Sequence, residues 1–269
     1  MTTLKWINNG YNEGGVTERE FVIKGGKNAV PGIMWTPELL EKPTPLVLFG
    51  HGGSGHKRSD RSLMLGRRFA AVHQFSVVAI DGPVHGDRAN TRSKSEGVDP
   101  MEVLADIAVD KAIDDMVDDW CGTLDHVSEM DFIAADQVAY VGLSMGTRFG
   151  LPFVAAAGDR LNCAVLGKNA LGPADEARLA NHPGRRFKKD APLVHVPVLF
   201  HVQWDDELFP RESQFELFDL IGSKDKRLIS YPGPHGRSAP EAVNHWCRFV
   251  DRHIWSSCGD DRNLVRTDR

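Results

Sequence analysis

The run Gly142-Leu143-Ser144-Met145-Gly146 follows directly on the apolar stretch Val138-Ala139-Tyr140-Val141 and precedes residues with a small, apolar helical face. A serine held at a sharp turn between a strand and a helix presents its hydroxyl outward, and the chain passes too close on either side for bulky residues two positions away. Gly142 and Gly146 meet that requirement, which makes Ser144 the candidate nucleophile. A serine hydroxyl becomes nucleophilic only when a base takes its proton, and the base works only when a third group orients it. His235 lies in Tyr231-Pro232-Gly233-Pro234-His235-Gly236, a tight loop after the last apolar strand pattern, and is the best placed of the eleven histidines. Asp205, Asp206 and Glu207 follow the strand pattern that ends near Val202 and could reach the second imidazole nitrogen. A developing oxyanion needs amide donors: Met145, next after the serine, supplies one, and Gly53 in Gly50-His51-Gly52-Gly53-Ser54-Gly55 is the candidate for the other. That glycine run lacks the Lys-Ser/Thr ending of a phosphate loop, and no ribose-binding acid follows it in context, so a nucleotide cofactor is not expected.

Those groups must be carried on strand ends, and the chain supplies the strands. Glu20 to Lys24 and Ala29 to Thr36 flank Gly25-Gly26-Lys27-Asn28 and read as an antiparallel hairpin. Leu46 to Phe49 is a short continuous apolar run of the kind buried on both faces of a parallel sheet. The expected order continues with a helix from about Asp60 to His73, a strand Ser76 to Ile80, one or two acidic helices within Met101 to Met130, the strand into Ser144 beginning after Ala134 to Gln137, and a helix Met145 to Ala157. Then come a strand Cys163 to Leu166, an irregular basic stretch Gly172 to Lys189, a strand Val196 to Val202, a helix Arg211 to Ile221, and a strand Arg227 to Tyr231. Ser238-Ala239-Pro240-Glu241 is a capping box that opens a last helix, whose buried stripe is Val243, Trp246, Cys247, Val250 and Ile254. Strands alternating with helices after an antiparallel start predict a mainly parallel central sheet with helices on both faces and chemistry at the strand ends.

At 269 residues the chain fits one domain with a core over about 20–254, candidate helical insertions at 101–130 and 172–190, and a polar tail at 256–269. With 37 acidic against 32 basic side chains, its net charge of -5 gives no reason to expect a nucleic acid or an anionic membrane as partner. Met1 to Trp6 contains no apolar core of signal-peptide length and no long apolar run follows, which predicts a cytoplasmic protein. Cys121, Cys163, Cys247 and Cys258 are widely spaced, so free, mostly buried thiols are expected rather than a disulfide framework or a metal site. Neither monomer nor oligomer is specified.

Taken together, Gly50-His51-Gly52-Gly53, Asp81-Gly82-Pro83-Val84-His85-Gly86-Asp87-Arg88, Gly142 to Gly146, Asp206-Glu207-Leu208-Phe209-Pro210 and Pro234-His235-Gly236 resemble the α/β-hydrolase superfamily. Within it the chain is most similar to dienelactone-hydrolase-like and prolyl-oligopeptidase-like esterases, over roughly Pro45 to Ile254. The resemblance implies the α/β-hydrolase fold, no cofactor, and cleavage of a small carboxylic ester by Ser144, Asp206 and His235 through an acyl-enzyme, with Gly53 and Met145 as oxyanion donors. It favours Asp206 over Asp205, because the acid in these families usually stands four residues before a proline. Two departures stand out. Dienelactone hydrolases commonly carry cysteine at the position of Ser144, and a glycine is often seen where this chain has Gln203. Thioesters and lactones are variants of the same chemistry; a ligand-binding protein without catalysis is the alternative on the same fold. His56, Lys57, Arg58, His85, Arg88, Lys168, Asn169 and Trp204 lie near predicted strand ends and are candidates to border the site.

Overall fold

The computed structural model describes residues 1–256. Its strands are β1 (Thr3–Trp6), β2 (Tyr11–Glu13), β3 (Val16–Lys24), β4 (Val30–Pro37), β5 (Thr44–Gly50), β6 (Ser76–Ile80), β7 (Ile133–Gly142), β8 (Cys163–Gly167), β9 (Val198–Gln203) and β10 (Lys226–Tyr231). The helices are α1 (Asp60–His73), α2 (Thr91–Ser95), α3 (Pro100–Ala105), α4 (Val109–Ser128), α5 (Met145–Ala157), α6 (Gly184–Asp190), α7 (Arg211–Leu220) and α8 (Pro240–Ser256). All ten strands join one sheet in the order β1-β3-β4-β6-β5-β7-β8-β9-β10, with β2 paired to β3. β1 to β4 run antiparallel to their neighbours, whereas every pair from β6-β5 through β9-β10 is parallel.

Side-chain alternation divides the interior into two layers. On β5, Leu46 and Leu48 face one side together with Val78, Tyr140, Leu166 and Phe200, packed under α4, α5 and α7 by Trp120, Phe149, Phe153 and Leu217. Val47 and Phe49 face the other side with Val77, Val141, Val165 and Leu199, under α1 and α8. All five residues of the expected α8 stripe are buried there. A central strand buried on both faces favours apolar residues, which is why Leu46 to Phe49 and Val77 to Ile80 read as continuous apolar runs, while buried Thr44 and Ser76 at the strand starts pair their hydroxyls at 2.6 Å.

Several elements differ from the sequence expectation. β1 and β2 went unread because they are short edge additions with exposed or half-buried side chains, and they pair only with β3. β7 begins at Ile133 rather than after Gln137; Ala134 to Gln137 are exposed or half-buried, and a register shift against β5 between Thr44 and Leu46 breaks the apolar pattern. The acidic 101–130 segment forms two helices, and the second, α4, is the crossover that carries the chain from β6 to β7. The basic stretch after Gly172 contains a 3-10 turn at Glu176–Asn181 and the helix α6. Cys121 is half-buried and Cys163 and Cys247 are buried, all three free. Cys258 and the expected polar tail lie outside the described residues, apart from Ser256 itself, which ends α8.

Candidate active site

The parallel strands end together, and the loops after β5, β6, β7, β8, β9 and β10 meet there. Ser144 occupies the turn between β7 and α5 with φ 59° and ψ -118°, the strained left-handed conformation that an exposed nucleophile at this junction requires. The flanking glycines are demanded by close approach. A Cβ on Gly146 would sit 2.4 Å from the Gly50 carbonyl oxygen, and one on Gly142 would sit 2.8 Å from the Gly146 carbonyl oxygen. Buried Tyr140 closes the same corner by donating its hydroxyl to the Gly146 carbonyl at 2.7 Å. Thr147 ties it to β8, its hydroxyl accepting from the Gly167 amide at 2.8 Å.

Three side chains from distant segments form one row. His235 Nε2 lies 2.7 Å from Ser144 Oγ, and His235 Nδ1 lies 2.8 Å from Asp206 Oδ2. The Asp206 side chain is 0% exposed and that of His235 13%. Asp206 Oδ1 is already committed, accepting from the amides of Leu208 at 2.9 Å and Phe209 at 3.0 Å. Only Oδ2 faces the imidazole, so the ring meets the acid through Nδ1–H and presents a lone pair on Nε2 to the serine. Asp205 does not join the row. Its carboxylate accepts from the Gly233 amide at 2.7 Å, while Glu207 accepts from the His235 amide at 2.8 Å.

Beside the backbone bonds from Arg237 to Pro234 and from Asp205 to Gly233, the loop bearing His235 is held by side chains. Gln203 Nε2 donates to the carbonyls of Pro232 at 3.0 Å and Gly233 at 2.9 Å. Arg61 donates to the Gly236 carbonyl at 2.9 Å. Lys168, wholly buried and at a positive φ of 49°, donates from Nζ to the His235 carbonyl and the Ser238 hydroxyl, both at 3.0 Å, and to the Arg237 carbonyl. Burial pushes the Lys168 ammonium down to about 7, aided by the Arg61 charge and opposed by Asp206 and Glu207. Gln203, noted in the sequence as a missing glycine, thus replaces small size with two donors. Lys168 turns away from solvent to anchor the loop rather than border an open pocket.

On the opposite side stand the two candidate oxyanion donors. The Met145 amide opens α5, where no intrahelical acceptor exists, and neither it nor the Gly53 amide has a hydrogen-bond partner among the described residues. The Gly52-Gly53 peptide is oriented by its other end. The Gly82 amide donates to His51 Nε2 at 2.9 Å, so His51 is protonated on Nδ1 and donates to the Gly52 carbonyl at 2.9 Å. A trans peptide points its N–H opposite its C=O, so fixing that carbonyl fixes the Gly53 N–H. Burial, with the neighbouring His85 also contributing, holds His51 down at about 4, so its neutral tautomer persists at ordinary pH. A Cβ at Gly53 would sit 2.7 Å from Met101 Sδ, so a side chain there would have to push that thioether aside. The same loop is clamped from below by Lys57, which donates from Nζ to Asp81 at 2.8 Å and to Asp87 at 2.6 Å. His85 sits with its ring nitrogens 2.7 Å from the carbonyl oxygens of Pro83 and Gly53. Asn169 Nδ2 donates to the Ser144 carbonyl at 3.0 Å, whereas Trp204 is exposed.

Among the described residues no group of three or more His, Cys, Asp or Glu side chains could hold a metal, and no helix is long and apolar enough to cross a membrane. No protein-family profile matches the chain, and no curated protein matches it at a significant level. Solved structures do. A cold-adapted esterase from an Arctic intertidal metagenomic library, in its PEG-bound form, is 30% identical over 93% of this chain and 99% of its own, with a TM-score of 0.77. The native form of that enzyme aligns at 28% identity and a TM-score of 0.71 over the same shares. An acetyl xylan esterase from Paenibacillus sp. R4 shares the fold at 16% identity and a TM-score of 0.69, over 94% of this chain and 88% of its own.

Proposed function

The chain belongs to the α/β-hydrolase superfamily, among its esterases, and from that membership we propose that it hydrolyses small carboxylic esters through Ser144, His235 and Asp206 by way of an acyl-enzyme. The observation that carries this reading is the unbroken row from Ser144 Oγ to His235 Nε2 at 2.7 Å and from His235 Nδ1 to Asp206 Oδ2 at 2.8 Å.

The steps follow from the proton positions. As Ser144 Oγ attacks the ester carbonyl carbon, its proton passes to His235 Nε2, and the Asp206 carboxylate stabilises the imidazolium through Nδ1–H. The carbonyl oxygen becomes an oxyanion facing the free amides of Met145 and Gly53. When the tetrahedral centre collapses, the imidazolium returns the proton to the departing alcohol oxygen and the acyl group stays on Ser144. Water then repeats the sequence, giving its proton to Nε2 as it attacks, and releases the acid and the serine. Thioesters and lactones would pass through the same site with a thiol or a tethered alcohol as leaving group.

The test is hydrolysis of short p-nitrophenyl esters by wild type and Ser144→Ala, with fluorophosphonate labelling of the serine alongside. Removal of the nucleophile should lower kcat by about a thousandfold or more. Equal rates in the two proteins, or a wild-type serine inert to the probe, would reject the assignment, and a ligand-binding relic would give the second result.

A further inference from the structure

Arg148 lies on α5 one turn beyond Ser144, its amide donating to the Ser144 carbonyl at 2.9 Å. The residue is only 8% exposed, and its Nε and Nη2 atoms are buried with no hydrogen-bond partner among the described residues. The ring of Phe149, with its centroid 5.8 Å from Cζ, is the contact recorded for the guanidinium. Among the described residues no carboxylate pairs with the charge, and burial pulls Arg148 down to about 10. His182 contributes a third donor of the same kind. Its Nδ1 accepts from the Gly184 amide at 3.1 Å, which leaves the proton of the neutral ring on Nε2, and that atom too is buried without an acceptor in full hydrogen-bond geometry among the described residues. The ring stays neutral because burial and then the nearby Arg148 charge lower it to about 4, with the Leu171 carbonyl acting the other way.

Buried donors without acceptors are rare in native proteins, because each forfeits its hydration. Here they belong to two side chains close enough for the charge of one to act on the other, and all of them are donors. The complement of such a set is a group that only accepts and carries negative charge, and a guanidinium fork fits a carboxylate best. The position is also informative. The Phe209 ring stands between His182 and His235, with centroids 5.8 Å from the first and 5.4 Å from the second. The His182 ring therefore lies within about 11 Å of the imidazole that serves Ser144, a span a short substrate can bridge.

We infer that Arg148 and His182 form an anion subsite of the ester-cleaving centre, and that the ester it takes carries a carboxylate on its acyl or its alcohol part. This rests on the esterase reading above, which the experiment tests separately.

Two matched pairs of substrates identify the side. Mono-4-nitrophenyl glutarate against 4-nitrophenyl pentanoate places the charge on the acyl part, and O-butyrylglycolate against ethyl butyrate, followed by pH-stat, places it on the alcohol part. Wild type should prefer the anionic member of one pair by about tenfold or more in kcat/KM, the worth of a charge-assisted pair, and glutarate dianion should inhibit competitively and raise Tm. In Arg148→Met that preference ratio should fall by about tenfold, with Arg148→Lys intermediate. If Arg148→Met does not fold, inhibition and Tm of wild type with glutarate decide the matter. Preference ratios at or below one for both pairs, with no effect of millimolar glutarate on an enzyme that cleaves neutral esters, overturn the subsite alone. A wild type that cleaves neither member of either pair and leaves Ser144 unlabelled overturns the esterase reading instead.

Discussion

Replacing Asp206 by asparagine keeps the shape of the acid and reverses the proton bookkeeping of the row. Asp206 Oδ1 accepts two amide protons, from Leu208 and Phe209, inside a side chain that is 0% exposed. An asparagine must keep its oxygen there, which turns its NH2 toward His235 Nδ1. An NH2 group cannot accept, so the imidazole moves its proton to Nε2 and meets Ser144 as a donor instead of a base. The opposite amide rotamer would restore the productive tautomer but leave two part-buried amides unsatisfied. At about 1–3 kcal/mol each that costs about 2–6 kcal/mol, and at 1.4 kcal/mol per decade it confines the active form to between about one part in thirty and one in twenty thousand. Loss of the negative charge beside the imidazolium lowers the rate further, so kcat on p-nitrophenyl butyrate should fall by about a thousandfold to ten-thousandfold, the scale of a wrong-tautomer defect. Circular dichroism and Tm should show the fold intact, and fluorophosphonate labelling should slow in parallel. Glu207→Gln is the control: its side chain meets the His235 amide, not the ring, and a glutamine oxygen can still accept there, so a loss of no more than a few-fold is expected. An Asp206→Asn enzyme within tenfold of wild type would refute the tautomer argument and the place of Asp206 in the row.

Two further outcomes follow from the surroundings. Lys168→Met removes three donors from the His235 loop while filling a similar volume, so kcat on neutral esters should fall by about ten- to a hundredfold, with KM changed far less; an unchanged kcat would show that the remaining contacts alone fix the loop. Stability should weaken in mild acid. His51 and His201 are buried and held at about 4, His51 chiefly by burial and His201 by burial and then by the Lys168 charge, against an ordinary 6.5. The unfolded chain binds more protons at these two rings between those values, so their contribution to stability is complete above pH 6.5 and is lost as pH falls toward 4, by about 3 kcal/mol for each ring. Urea unfolding of wild type and His201→Gln at pH 7 and pH 4.5 checks this; an equal drop in both proteins would remove His201 from the account.

What the sequence made legible was whatever depends on local sterics and periodicity. The bounds of α1, β6 and α5 coincide with the expectation residue for residue, because each is set by a turn on either side and by one or two fully buried faces. The convergence of Ser144, Asp206 and His235 was readable from their places after strand patterns, since parallel strands deliver all such loops to one end. Arg148 and His182 left no comparable trace. An arginine inside a helical pattern and a histidine in a basic stretch look like solvated residues, and only the packing of the segment after β8 shows that water is excluded from them. Gln203 and Lys168 were noticed for the wrong property, one as a departure and the other as a border of the pocket, because the acceptors they serve are backbone carbonyls that no sequence spells out.

That last point reflects a constraint on the site as a whole. Amides that are to meet an oxyanion cannot be spent on backbone pairing, and the proposed donors, Met145 and Gly53, have no partner among the described residues. Loops deprived of ordinary backbone ladders still have to be held to within a fraction of an ångström, so their fixing passes to side chains. Each of the two loops has its own buried lysine: Lys57 holds the glycine loop through Asp81 and Asp87, and Lys168 holds the histidine loop through carbonyls and a hydroxyl. The chemical difference between them matters. Lys57 is neutralised by carboxylates that raise its affinity for a proton despite burial, whereas Lys168, without a direct carboxylate contact, is brought down to about 7. The histidine loop therefore hangs on an ammonium whose hold on its proton burial weakens, whereas the ammonium that ties the glycine loop is held charged by two carboxylates.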